Sequence, residues 1–263
     1  MSPRRRLVVA GAVLLVLAVV AGGLALVLSR SGGSGAAGPR TGVPQDRPGP
    51  VLLVPGYGGG TSALDRLAAR LRAAGRTATV VRLPGGGTGD LRTQARAVGV
   101  AARAALAGGA PSVDVVGYSA GGVVVRWWVR EQGGAAVTRR VVTLGSPHHG
   151  TDVAALAVAV VGSACPTACR QLAPGSALLG RLNTGDETPA GPRWESIWTT
   201  GDELVTPPDS ARLAGALDVV VQEVCPGRRV GHGQLPTDPA VQDLVLDALG
   251  TGPPHRPAAC PAA

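Results

Sequence analysis

The residues with the clearest chemical potential are Gly117-Tyr118-Ser119-Ala120-Gly121. The pattern is G-x-S-x-G. It follows a β-branched run with Val113, Val115 and Val116 and precedes a segment, 122–131, that reads as a helix. A serine at a sharp strand-to-helix turn has a strained backbone, and the chain two residues away on either side must pass close to its neighbours. Glycine has no Cβ to clash there. Such a turn lifts the hydroxyl clear of a sheet, at a helix N-terminus where developing negative charge is favoured. The chemistry this permits is nucleophilic attack by Ser119. In a chain with 40 glycines the motif alone has a plain alternative, a glycine-rich turn without chemistry, so the other members of a catalytic set decide.

A serine hydroxyl is a poor nucleophile at its own pKa and needs a base. Of the 4 histidines, His255 lies in a Pro-rich tail, which leaves His232 and the pair His148-His149. In open parallel sheets, working residues lie in loops at the carboxyl ends of strands. Ser119, Asp202 and His232 each follow an expected strand. In that set His232 takes the serine proton and later donates it to the leaving group, while Asp202 orients the imidazole and stabilises its protonated form. The rival acids, Asp209 and Asp218, do not directly follow a strand. The plain alternatives are a surface loop histidine and a capping aspartate. His148 and His149 precede the acid in sequence, and their expected role is to shape a pocket wall or satisfy a loop by hydrogen bonds. An oxyanion hole needs two backbone donors. The N–H of Ala120 is one, and Tyr57, in the loop after the first core strand, is the other. A plain turn is the alternative for that loop.

These positions require a particular set of elements. The continuous apolar run 51–54 reads as a strand buried on both faces. Leucines at 64, 67 and 71 give helical spacing over 61–74, with Gly75 as its C-cap. Residues 77–83 read as a second strand, 84–89 as a glycine-rich loop, and Asp90 as the cap of a helix to about 106. Further strands are expected at 113–117, 137–144, 194–200 and 217–224, and a closing helix at 239–249. Strands alternating with helices at this pitch imply a mostly parallel sheet covered on both faces. Residues 153–183 break the alternation and read as a small excursion over the mouth of the site.

The length, 263 residues, suits one α/β domain of roughly 200–250 residues and a short extra segment. With no Phe and 2 Tyr, the core must be built from Val, Leu and Ala. All 25 basic residues are arginine and the net charge is +8. The arginine bias reads as the coding composition of a GC-rich genome. Its scatter, without aromatic interleaving, gives nucleic-acid binding little support. A basic surface could lie against anionic lipid or wall polymer, or simply be solvated.

Residues 1–6 form a basic N-terminus, and 7–28 carry no charge. The apolar stretch is long enough to span a hydrocarbon core of about 30 Å. A signal anchor with its N-terminus inside is the favoured expectation. A cleaved signal peptide, with a weak site at Ser34-Gly35-Ala36, is the alternative. Either way the body is exported, anchored to the outer face of the cytoplasmic membrane or secreted. Residues 29–50 read as a flexible linker, 51–250 as the folded domain and 251–263 as a Pro-rich tail. Four cysteines in an exported chain suggest two disulfides. Cys165–Cys169 with Cys225–Cys260 is the favoured pairing, against free thiols or a metal site. The spacings do not suit zinc, and no histidine is suitably placed.

The order Ser, acid, His is that of an α/β-hydrolase. The sequence resembles the extracellular triacylglycerol lipase and esterase families of that superfamily, in particular the small bacterial ones. The segments that carry the resemblance are VLLVPGYGG, VDVVGYSAGG, VVTLGSPHHGT, GDELVTPPDS and GHGQL, within residues 51 to 235. The resemblance implies an α/β-hydrolase fold with a small cap and little lid. It implies Ser119, Asp202 and His232 as the triad, and Tyr57 and Ala120 as oxyanion donors. One departure is the Pro55-Gly56 pair, where related lipases have His-Gly. The donor there is a backbone N–H, so the hole should survive without the histidine's supporting hydrogen bond. The implied activity is hydrolysis of carboxylic esters through an acyl-serine intermediate, without cofactor or metal. Acyl transfer, thioester cleavage or amide cleavage by the same triad, and a non-catalytic membrane-anchored binding protein on this fold, are the alternatives. The expected partners are an ester or lipid substrate and a membrane, through residues 7–28, for a monomeric protein.

Overall fold

The computed structural model describes residues 42–261. The apolar stretch 7–28 and most of the linker lie outside the described residues. Among the described residues, no helix is long and apolar enough to cross a membrane.

The chain begins its core with β1 (Val51–Val54), every residue of which is buried. Helix α1 (Ser62–Ala73) follows, burying Leu64, Leu67, Ala68 and Leu71. Next come β2 (Ala78–Val80) and α2 (Leu91–Ala107), whose first turn is capped by the Asp90 side chain accepting from the Arg92 N–H. Strand β3 (Val113–Tyr118) leads through Ser119 into α3 (Ala120–Glu131), and β4 (Thr138–Leu144) follows. Three short helices form the excursion: α4 (Asp152–Val161), α5 (Thr167–Leu172) and α6 (Ala177–Asn183). The chain then returns through β5 (Arg193–Trp198), β6 (Leu217–Val220), α7 (Val221–Val224) and α8 (Pro239–Ala248).

The strands form one sheet in the order β2-β1-β3-β4-β5-β6, and every neighbouring pair is parallel. Successive strand residues point to opposite faces, and each face has its own core. Leu52 and Val54 join α2, α3 and the cap helices through Val98, Val124, Leu179 and Leu182. Val51 and Leu53 join α1 and α8 through Leu64, Leu67, Val241 and Leu244. With no Phe available, these cores are built from branched aliphatics, which fill a doubly covered parallel sheet.

Three local expectations are corrected. The expected strand 217–224 ends at Val220, and Val221–Val224 makes a helical turn. A short β-branched run cannot be told from a buried helical turn by periodicity. Here the Gln222 side chain decides: its Nε2 donates to Thr199 Oγ1 at 2.8 Å and its Oε1 accepts from Thr200 N at 2.9 Å. The expected strand 77–83 is reduced to Ala78–Val80, which pairs with β1 alone at the sheet's edge. The helix expected from 122 starts at Ala120, directly behind the serine.

The chain on both sides of 51–250 is tied to the sheet. Gly49 is buried, and its carbonyl accepts from Arg76 at 3.0 Å. Cys225–Cys260 fastens the C-terminal tail, and Cys165–Cys169 closes the start of α5.

Candidate active site

The chain leaves β1 to form β2 on one side and returns to form β3 on the other. The crevice of an open parallel sheet opens at such a reversal, beyond the carboxyl ends of the strands. Val54 and Gly117 are register partners there, so the loop from Pro55 and the turn at Ser119 start side by side.

Ser119 has φ 54° and ψ −129°, and is the only non-glycine residue with positive φ among the described residues. The strain is held by steric fit. A Cβ on Gly117 would lie 2.6 Å from Gly122 Cα, and one on Gly121 would lie 2.2 Å from the Val54 carbonyl oxygen. Both glycines of the motif are therefore required by close approach. The Ser119 N–H donates to the Leu144 carbonyl at 2.8 Å, which ties the turn to β4.

The structure brings the three sequence-predicted side chains together. Ser119 Oγ lies 2.9 Å from His232 Nε2, and His232 Nδ1 lies 2.7 Å from Asp202 Oδ2. The carboxylate faces Nδ1, and in the tautomer with its proton on Nδ1 the Nε2 atom can accept from the serine hydroxyl. Asp202 Oδ1 accepts from the N–H groups of Leu204 at 3.0 Å and Val205 at 2.7 Å. Asp202 is 6% and His232 2% exposed, whereas Ser119 is half-buried and opens onto a cavity.

That cavity has a volume of about 330 Å³ and a mainly apolar wall, including Tyr57, Val153, Ala157, Leu172, Leu204 and Val205. The loop carrying Tyr57 presses on the serine: a Cβ on Gly56 would come within 2.9 Å of Ser119 Cβ. Ala120 opens α3, so its N–H belongs to the first turn and has no intrahelical acceptor. Among the described residues, neither the Tyr57 nor the Ala120 amide donates to a protein acceptor.

The other histidines stand apart from the relay. His148 is fully buried, with Nε2 3.1 Å from Thr143 Oγ1. Burial, with Arg126 and His149 adding to it, holds its pKa well below the usual imidazole value. His149 meets Glu187 Oε1 at 3.1 Å and the Ser210 carbonyl at 3.3 Å. Both satisfy loops. Of the rival acids, Asp209 lies in the turn Pro208–Ala211 and Asp218 in β6, and neither bonds to His232.

Sequence reasoning missed Gly145. It has φ 51°, and a Cβ there would reach 2.5 Å from Leu235 Cδ1 and 3.0 Å from Asp202 Oδ2. Only glycine lets the end of β4 pass beneath the acid–imidazole pair. The visible signal was a glycine directly after a strand. Arg126 was also missed. It is buried in α3 and donates to the Leu182 carbonyl and to Asn183 Oδ1, each at 3.0 Å, pinning the cap. Its desolvation lowers its pKa to about 10. Among the described residues, no group of three His, Cys, Asp or Glu side chains is arranged to hold a metal ion.

The six-stranded parallel sheet, helices on both faces and the small cap define the α/β-hydrolase fold. Lipase B of Aspergillus fumigatus matches with a TM-score of 0.65 at 21% identity, over 77% of this chain and 52% of that one. This chain thus spans about half the length of the fungal one. The mature form of Bacillus licheniformis lipase BlEst2 matches with a TM-score of 0.63 at 19% identity, over 77% of this chain and 92% of that one. MGS-MChE2, an α/β-hydrolase from the metagenome of sediments of the Mar Chica lagoon, Morocco, matches at 0.52 and 20% identity, over 77% and 90%. The family model for lipase (class 2) matches residues 100–242. That is more than half of the chain, and the chain belongs to the class 2 lipase family. A search of curated proteins finds no match.

Proposed function

We propose that this protein is a serine hydrolase of carboxylic esters, with Ser119 as nucleophile, His232 as general base and acid, and Asp202 as the group that orients the imidazole. The observation that carries this reading is the unbroken relay of 2.9 and 2.7 Å from Ser119 Oγ to Asp202 at the mouth of an apolar cavity. Ser119 Oγ attacks the ester carbonyl as its proton passes to His232 Nε2. The tetrahedral oxyanion is stabilised by the N–H groups of Tyr57 and Ala120. The imidazolium, stabilised by Asp202, returns the proton to the departing alcohol and leaves an acyl-Ser119. Water, deprotonated by the same imidazole, then releases the acid.

The apolar wall supports an apolar acyl group as the recognised part of the substrate. The rim supports a lipid ester. Tyr57, Val153 and Leu204 are exposed where they line the cavity, and Leu156 and Val160, on the same helix α4 as Val153, are 65% and 73% exposed. With a cap of only three short helices, activity on soluble p-nitrophenyl esters should appear below their solubility limit. Activity only above that limit would require an interface and refute this point. Two disulfides support an exported body, and export through residues 7–28 remains part of the proposal.

Labelling with a fluorophosphonate, followed by mass mapping, tests the nucleophile. The expected result is an adduct on Ser119 in the native chain and none in Ser119→Ala. A folded native chain that takes no label would leave the serine unactivated and overturn the reading.

A further inference from the structure

His232 has a glycine on each side, Gly231 and Gly233. The segment forms a short turn, His232–Gln234, in which the His232 carbonyl accepts from the Leu235 N–H at 3.2 Å and the Gly231 N–H donates to Gln234 Oε1 at 2.8 Å. The His232 main chain is also gripped from outside the turn at both polar groups. The His232 N–H donates to Glu203 Oε2 at 3.0 Å. The His232 carbonyl accepts from the Tyr118 hydroxyl at 3.2 Å. Glu203 is the residue after Asp202, and Tyr118 is the residue before Ser119. Neighbours of the acid and of the nucleophile thus converge on the backbone of the third member.

We propose that Glu203 and Tyr118 are positioning residues for the hydrolytic reaction, bracing His232 by its main chain in parallel with the side-chain relay; this rests on His232 acting as the base. The brace links the same three loops as the relay, but through atoms that take no part in proton transfer. It fixes the distance from Nε2 to Ser119 Oγ whichever protonation state the imidazole is in. A Cβ on Gly231 would lie 3.0 Å from Glu203 Oε2, so the glycine leaves the carboxylate room beside the His232 N–H. The Tyr118 ring packs on the imidazole with centroids 5.2 Å apart. Burial, with the negative charges of Asp202 and Glu203 adding to it, pushes the Tyr118 hydroxyl up to about 12, so it stays a donor at neutral pH.

Four variants, Glu203→Ala, Glu203→Gln, Tyr118→Phe and His232→Ala, test the brace by steady-state kinetics on a soluble ester, with thermal melts as the check on folding. Loss of a positioning contact should lower kcat about tenfold for Glu203→Ala and several-fold for Tyr118→Phe, with KM within about twofold. Glutamine keeps a carbonyl oxygen for the His232 N–H, so Glu203→Gln should recover kcat to within about twofold of the native chain. A Glu203→Gln variant as slow as Glu203→Ala would make the carboxylate charge, not the contact, the cause and overturn the proposal. So would native kcat in both Glu203→Ala and Tyr118→Phe while His232→Ala is inactive, and the triad reading would then stand alone. Native activity in His232→Ala would instead remove the base itself, and with it both readings.

Discussion

Asp114 and Asp202 are buried carboxylates on the two ends of one parallel sheet, and their partners make them opposites. Asp114 sits near the start of β3, wholly buried. Arg139 grips it with two bonds, Nε to Oδ1 at 2.9 Å and Nη2 to Oδ2 at 2.6 Å, and Arg76 adds a third at 2.5 Å. Arg139 also donates to the carbonyls of Gln45, Leu249 and Gly250. This cluster of permanent cations on one anion fastens the start and end of the folded chain. Asp202, at the other end, has two amides and an imidazole. Among the described residues no arginine bonds to it, and under the proposed mechanism its charge would be met by an imidazole that becomes charged during the reaction. The same residue type thus meets permanent cations at one end of the sheet and, at the other, an imidazole, the partner that the proposed mechanism requires.

The comparison breaks first at the site. Ser119→Ala should lower kcat by about 10⁶-fold, read in an ester assay, and leave the melting temperature near that of the native chain. Asp202→Asn should cost about 10⁴-fold in kcat, by favouring the wrong imidazole tautomer. A loss below tenfold would mean that the imidazole is held without Asp202.

Asp114→Asn should do the reverse. It leaves Arg139 buried without its counter-charge, which costs about 3–5 kcal/mol. At about 2–4 °C per kcal/mol for a domain of this size, the melting temperature should fall by about 6–20 °C. The folded variant should keep kcat within about twofold at low temperature. A selective loss of kcat without loss of stability would erase the distinction between the two ends.

The smallest effect sharpens the comparison with a third buried carboxylate. Glu195 on β5 has its pKa pushed up to about 8, by burial first and by Asp247 second, with Arg140 opposing. Its folded value is raised above its unfolded one, so its contribution is fully present below the unfolded value near 4.5 and is lost as pH rises through about 8. Glu195→Gln should match the native chain near pH 4 and exceed it in stability at pH 9. Denaturant melts at the two pH values would show this as a gap that opens with pH, and an unchanged gap would place the proton elsewhere.

Much of the frame was legible. The apolar runs expected as strands at 51–54 and 113–117 sit in the sheet, the second extending to Tyr118, and the leucines at 64, 67 and 71 face the core. Asp90 caps α2 with its side chain. The turn Val221–Val224 was not legible, because its conformation depends on where Gln222 finds partners in the loop after β5. Residues 153–183 read as an excursion over the site, but not as one whose first helix, α4, leaves its apolar surface largely uncovered, with Ala154 its one buried residue.

Local sterics were written in the chain itself. Gly117 and Gly121 are needed within a few residues of Ser119, and no distant contact changes that requirement. The order of serine, acid and histidine was likewise readable, since it is one-dimensional. Meeting was a matter for the tertiary fold. The relay joins residues 30 and 113 positions apart, and the Tyr118 contact spans 114. Those distances follow from strand order and loop paths, which hydrophobic periodicity does not encode. The fold alone set Arg139 on Asp114 and imidazole on Asp202, and thereby made one carboxylate a fastening and the other a candidate for chemistry.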